Sequence, residues 1–459
     1  MQYSIVNYSQ IDKSLFRLEA EFYNSNSLLN AYCFSGEEII DFVQYGTSKE
    51  LNEEKRGFPT LRLNEFDSFF IKSPQKYCNE IDNEAFESLA LKKGDVLICR
   101  TNGNPKLVGK AAIVPEDSNY AFASYLFRIR PKEEKLLPTT LVTYLNSLVG
   151  RSEIEKHLMV SNQANFSPAK FREILIPQFG EEIQSSIDKS IWESFRKHSE
   201  SKQIYAQAQT LLLSELGLTN WQPKHRLTFV KNYSDTEHAE RIDADYFQPK
   251  YEEIVEAVKN YSGGWDTLGN LCGIKRGSLI KDSFYDQKEG NPYIRGADFS
   301  GGWLSDDKLI FISPKFKPTG ETRVYENDIV FSLIGSVGET ALVTSEFTGA
   351  YISNNTGKIE CESPIFSVVL QTLLASVIGK LYFEKYKTQT AQPKISDKDL
   401  HNFVIPVLSE EKQIQIQQKV VESFNLRKQS KHLLECAKRA VEIAIEQDEQ
   451  TAIDWLENE

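Results

Sequence analysis

No two glycines in this sequence are separated by a single residue, no two prolines are adjacent, and no cysteines stand as C-x-x-C. The first absence excludes the G-x-G loop of dinucleotide and S-adenosylmethionine pockets. The second removes the Pro-Pro segment with which adenine methyltransferases grip a flipped base. The third argues against a zinc ribbon or a redox dithiol. There is no G-x-x-x-x-G-K-[ST] loop, so the chain is not itself an ATP-driven motor. Excess positive charge is lacking too: Lys+Arg 53 against Asp+Glu 65 leaves −12, which excludes a globally basic coat but allows local basic patches. Long apolar runs are missing, since the most apolar stretch, 367–379, is short and broken by Gln371. No basic and apolar leader opens the chain, so a cytoplasmic protein without a membrane span is expected. The six cysteines (Cys33, Cys78, Cys99, Cys272, Cys361, Cys436) are scattered and read as buried thiols of a reducing compartment. The six histidines show neither H-E-x-x-H nor another ligand pair, so no metal is expected.

What is present is a chain of 459 residues, 40% hydrophobic and 26% charged, enough for several packed domains. It is a tandem repeat. Arg17-Leu-Glu-Ala-Glu-Phe-Tyr23 recurs as Arg241-Ile-Asp-Ala-Asp-Tyr-Phe247, half a chain later. Phe58-Pro-Thr-Leu-Arg62 corresponds to Asn291-Pro-Tyr-Ile-Arg295. Lys93-Gly-Asp-Val-Leu-Ile-Cys-Arg100 pairs with Glu326-Asn-Asp-Ile-Val-Phe-Ser-Leu333, each a turn and a strand leading to a loop that ends at Gly109-Lys or Gly338-Glu. Ile176-Pro-Gln-Phe-Gly-Glu-Glu-Ile-Gln184 matches Ile405-Pro-Val-Leu-Ser-Glu-Glu-Lys-Gln413.

After each Ile-Pro, acids mark a helix start. Ile187, Ile191, Phe195, Tyr205, Leu212 and Leu216 share one 3.6-period stripe, and Ile416, Val420, Phe424, Leu434, Val441 and Ile445 share another. Two readings stand open: each helix packs on its own domain, or equivalent stripes pack on each other as an antiparallel pair, with Ile187, Ile191, Phe195, Leu212, Ile416, Val420, Phe424 and Val441 at the interface. The expected fold is α+β. It has a first globular domain over 1–178, a first long helix over 179–217 and a connector over 218–240. A second domain over 241–407, a second long helix over 408–447 and an acidic tail over 448–459 follow.

Acid-x-Lys triplets of nuclease type, such as Glu53-Glu-Lys55, are frequent by chance in a charged chain and read as solvated turns. More informative are polar loops at equivalent places in the halves. Arg100, Asn102, Lys106 and Lys110 line a Gly/Pro-rich loop whose guanidinium, amide and ammonium donors suit phosphates and base edges. Lys275, Arg276 and Ser336 occupy loops of the second half, Asn162 and Gln163 precede the first Ile-Pro, and Gln389, Gln392 and Lys394 precede the second. Arg62 and Arg295 end the P-x-[IL]-R pair. The plainer alternative is that Asn, Gln and Gly there close turns.

At these residues the chain resembles the DNA-specificity subunit of type I restriction-modification systems. The resemblance rests on the R-[IL]-[DE]-A-[DE] opening of each half, P-x-[IL]-R, the G-D-[IV] strand with its loop to G-K-x-A, Q-x-x-[IF]-S before I-P, and E-E-x-Q at the helix start. Asn327 replaces the turn glycine and Glu339 the lysine in the second copy, and Asn165-Phe-Ser167 matches Pro393-Lys-Ile-Ser396 loosely. The resemblance implies two target-recognition domains joined by antiparallel helices, each reading half of a split DNA site, with no catalysis by this chain. It also implies two methyltransferase subunits carrying S-adenosylmethionine, and endonuclease/translocase subunits using ATP and Mg. Two alternatives remain: a coiled-coil scaffold that reads no sequence, or a specificity subunit serving a single methyltransferase-nuclease polypeptide.

Overall fold

The computed structural model describes residues 32–160, 163–286, 290–306, 309–316, 323–388 and 390–459. The opening motif Arg17–Tyr23 and the candidates Asn162 and Gln389 lie outside them. The chain divides into two compact units whose borders fall inside the long helices: one holds residues up to Ser199 together with Leu426–Glu459, the other Glu200–Asn425.

Strand order repeats between the units. In the first, Ile40–Tyr45, Leu126–Pro131, Val96–Cys99 and Ala111–Ile113 lie side by side, followed by Phe70–Ile71 and Phe66–Asp67. In the second the same order runs Gly273–Arg276, Thr356–Glu360, Ile329–Ser332, Thr340–Leu342. A smaller sheet recurs as well, with Phe58–Leu61 parallel to Ala121–Phe122 and Asn291–Ile294 parallel to Tyr351–Ile352. The central strands Val96–Cys99 and Ile329–Ser332 are buried along their whole length, as their unbroken apolar runs require. Helix pairs cover each main sheet, Pro138–Asn146 with Leu148–His157 and Pro364–Ala375 with Val377–Tyr386. Among the described residues no single helix is long and apolar enough to cross a membrane. The latter pair, bent by 67°, satisfies length and composition only jointly, and it is largely buried in its unit's core.

Each middle strand carries one buried cation. Arg128 reaches Asp95 at 3.1 Å, and Arg130 shares that carboxylate. Lys358 lies 3.7 Å from Asp328, whose carboxyl is raised above its usual range by burial. A charge out of water persists only when paired in this way. The turns that precede the central strands also match: Gly94 has φ 86° and Asn327 φ 71°, so asparagine takes the left-handed position that the missing glycine would hold. Gly109 and Gly338 close the following loops at φ 80° and 94°, where a Cβ would lie 2.6 Å from Ile154 and 2.7 Å from Phe383.

The long helices span Glu181–Glu215 and Glu410–Glu446. Within the first unit Ile187 and Ile191 share a core with Leu434, Ala437 and Val441; within the second, Tyr205, Ala208 and Leu212 share one with Ile416 and Val420. The stripe 187/191/195 thus does not meet 416/420/424, because in each unit the rising numbers of one helix face the falling numbers of the other. The Ser194 hydroxyl lies 2.9 Å from the Ser430 carbonyl, and Lys197 reaches Gln429 at 2.8 Å. In the other unit Ser423 donates to the Ser201 carbonyl at 2.7 Å, and Lys412 meets Glu215 at 2.7 Å. Phe195 and Phe424 turn from the helix seam to their own globular parts, 5.1 Å from Phe70 and 4.0 Å from Trp303, ring centre to ring centre. Gln184 and Gln413 of the E-E-x-Q elements each donate back to a carbonyl just before the helix, of Phe179 at 2.8 Å and Leu408 at 2.9 Å.

One expectation is corrected, and the acidic tail is given a structure. Cys272 and Cys361 are a disulfide, Cα atoms 4.8 Å apart, because they flank the cross-strand pair Gly273 and Glu360; the cysteines are thus not all free thiols. The acidic tail is a helix, Glu449–Glu457, capped by Asp448 and packed through Ala452 on the first unit's core.

Candidate nucleic-acid interface

In the first unit two polar loops are sewn together by strand pairing. Thr101–Asn102 pairs with Ala164–Asn165, and the Phe166 N–H donates to the Arg100 carbonyl at 2.8 Å. This brings Arg100, Asn102 and exposed Gln163 to one edge, with the Thr101 hydroxyl 3.4 Å from the Gln163 carbonyl. The Asn102 side chain accepts from the Asn104 N–H and Asn104 from that of Lys106, so both amides shape the loop, as the turn-closing alternative holds. Lys106 is exposed at the loop tip, and Lys110 is half-buried after Gly109. The Arg100 guanidinium stacks on the Tyr45 ring at 5.3 Å, and the backbone N–H of Arg100 donates to the Tyr125 carbonyl.

Tyr45 and Tyr125 are 47% and 55% exposed. Sequence reasoning passed over them, because an isolated tyrosine carries no pattern. Only the register of strand Ile40–Tyr45 places Tyr45 beside Arg100. Exposed aromatics next to a guanidinium are suited to stacking on sugars or bases.

The second unit assembles the same edge from different residues. The Gly335 N–H donates to the Pro393 carbonyl at 3.1 Å and that of Ile395 to the Leu333 carbonyl at 3.3 Å, so Ser336, Gln392 and Lys394, all exposed, come together. Arg276 reaches Asp397 at 2.6 Å and the Ile395 carbonyl at 3.3 Å; Lys275 meets Glu360 at 2.9 Å. Gly46 and Gly277 press on equivalent backbone, Phe122–Ala123 and Ile352–Ser353, which aligns Tyr45 with Arg276 and, one strand over, Arg100 with Leu333. The basic group therefore sits on different strands in the two units.

Arg62 and Arg295 are placed elsewhere. Each precedes a short 3-10 turn and faces the buried acid three residues on, Arg62 at 3.0 Å from Glu65 and Arg295 at 3.5 Å from Asp298, whose carboxylates also accept from the arginines' own N–H. The Q-x-x-[IF]-S element is structural in part as well. Ser167 and Ser396 cap the helices Pro168–Glu173 and Asp397–His401, while Phe166 and Ile395 are buried.

Residues 263–435, most of the second unit, match the family model described as the type I restriction modification DNA specificity domain. That stretch is similar to the specificity domain the model describes. The role that the description gives such a domain is DNA specificity. Among solved structures, the HsdS subunit of Thermoanaerobacter tengcongensis is 18% identical, with 93% of this chain and 96% of that one covered at a TM-score of 0.28. The S subunit of M. genitalium is 13% identical over 94% and 97%, TM-score 0.35. A structure described by its complex assembly and conformational transition in the type I R-M system is 18% identical over 93% and 97%, TM-score 0.30. Likenesses this distant say nothing about what the chain binds. No curated protein matches the chain.

Proposed function

We propose that the chain reads a split, asymmetric DNA site, one half-site per unit, and catalyses no step itself. The observation that carries this reading is that the specificity-domain match falls mostly on one of two units with the same strand order but different residues on the polar edge. Repeated modules of this kind suit two half-sites, and unlike edges suit unlike half-sites. The serine pairs support antiparallel coiled-coil pairing of the long helices, which would hold the two recognition edges at a set distance.

On this reading two methyltransferase subunits bring S-adenosylmethionine to the adenines, endonuclease/translocase subunits bring ATP and Mg, and this chain binds none of the three. A net charge of −12 agrees with partners that supply part of the phosphate-neutralising surface. A cytoplasmic location goes with it. The test is retention of duplex DNA by the assembled complex across a salt series. Sequence-selective retention is expected, along with no methyl transfer by the purified chain alone. Retention indifferent to sequence would turn the reading into that of a scaffold.

A further inference from the structure

The second long helix carries His432 and Cys436 one turn apart, so both side chains leave the same face. The last helix folds back beside them: the Gly180 N–H donates to Glu449 at 2.8 Å, and Ile453, Trp455 and Leu456 pack on the first unit's core. That return sets a Glu459 carboxylate oxygen 3.7 Å from His432 Nε2. Cys436 Sγ lies 3.6 Å from His432 Nδ1 and 3.6 Å from Nε2. Ligand atoms of the three residues all fall within 4.8 Å of one another, the one such group among the described residues.

Zinc bonds of about 2.0–2.3 Å in a tetrahedron put ligand atoms about 3.3–3.8 Å apart. The sulfur–nitrogen distance is already at that spacing and the nitrogen–oxygen distance close to it. The remaining sulfur–oxygen edge closes by rotating an exposed carboxylate. A nitrogen, a sulfur and an oxygen together suit zinc, whereas Mg and Ca prefer oxygen alone. A bound dication would expel the thiol proton to solvent and neutralise thiolate and carboxylate together.

We infer that His432, Cys436 and Glu459 form a zinc-binding site, with water at the fourth position, that ties the C-terminal helix to the second long helix. The sequence carries only half of the signal, His432-x-x-x-Cys436, which a search for paired histidines overlooks; the third ligand is far along the chain and arrives only through the folded return.

The full chain, stripped of metal and titrated with Co²⁺ and then Zn²⁺, tests the site without any activity assay. One equivalent of Co²⁺ should raise a thiolate-to-cobalt charge-transfer band that one equivalent of Zn²⁺ abolishes. His432→Ala and Glu459→Gln alter exposed side chains and should leave the fold intact while weakening binding by at least about tenfold. Cys436→Ser should remove the band. Zn²⁺ should raise the Tm of the parent chain and not that of His432→Ala. No band, a band that survives Cys436→Ser, or unchanged affinity in both surface variants would overturn the proposal.

Discussion

Ser194 and Ser430 meet hydroxyl to hydroxyl at 2.9 Å between the two long helices, each also 2.9 Å from the other's backbone carbonyl. Ser201 and Ser423 repeat the arrangement in the other unit at 3.1 Å. All four are buried, and their small side chains let the helix backbones approach closely. Ser194→Ala and Ser430→Ala should each cost about 0.5–1.5 kcal/mol. The double variant should cost less than the sum by at least about 0.5 kcal/mol, as urea unfolding in a double-mutant cycle would show. Ser430→Leu overfills the seam and should cost about 1–3 kcal/mol.

The turn before each central strand gives a second prediction. Asn327→Gly should leave stability unchanged or raise it slightly, since glycine takes a φ of 71° without strain, whereas Asn327→Val should cost about 1–2 kcal/mol. Thermal melts of the two variants distinguish them. A tolerated valine would mean that the turn is not held in the left-handed region.

Asp95, in the turn before strand Val96–Cys99, holds Arg128 at 3.1 Å and Arg130 as well. Asp95→Ala should therefore destabilise by about 3–5 kcal/mol, because a buried guanidinium loses its counter-charge. Arg128→Met should cost clearly less than Asp95→Ala. Equal losses would mean that packing, not charge, decides the site.

The tandem repeat was legible because its matching segments are those that the fold buries or bends: the apolar strands, the left-handed turns, the serine caps Ser167 and Ser396. The direction of any helix pairing was not, since a stripe of Ile, Val and Leu reads the same whichever end of the partner it faces; that Ile187, Leu434 and Val441 share one core appears only in the folded unit. Arg62 and Arg295 were ambiguous in another way. An arginine with an acid three residues on can serve a turn or a phosphate, and the sequence pattern is the same for both. Cys272 and Cys361 became neighbours through strand register, and Tyr45 became Arg100's stacking partner in the same way.

The polar edges follow from that distinction. Arg100→Ala and Tyr45→Ala should weaken DNA binding by the assembled complex, with a base contact relaxing one position at about 1–3 kcal/mol and a phosphate contact lowering the salt slope by about one. Arg276→Ala should act on the other half-site. Arg62→Ala and Arg295→Ala should instead lower Tm and leave the sequence preference alone. Binding across a salt series, run beside melts, separates the two groups.

The helices should act as a ruler. Four residues inserted at both unit borders, after Ser199 and after Asn425, add about 6 Å and just over one turn. At about 3.4 Å per base pair the spacer between half-sites should grow by one or two base pairs. An assembled variant with an unchanged spacer would show that the recognition edges are positioned by something other than the helices.

The central claim, two units reading two different half-sites, is tested most directly by mapping methylated adenines in cells that carry the chain with its partner subunits. The map is to be repeated with the first unit's loop 100–110 replaced by that of a relative. The account predicts a bipartite, non-palindromic motif in which the replacement alters one half only and keeps the spacer. A continuous or palindromic motif, or a replacement that changes both halves or neither, would contradict it.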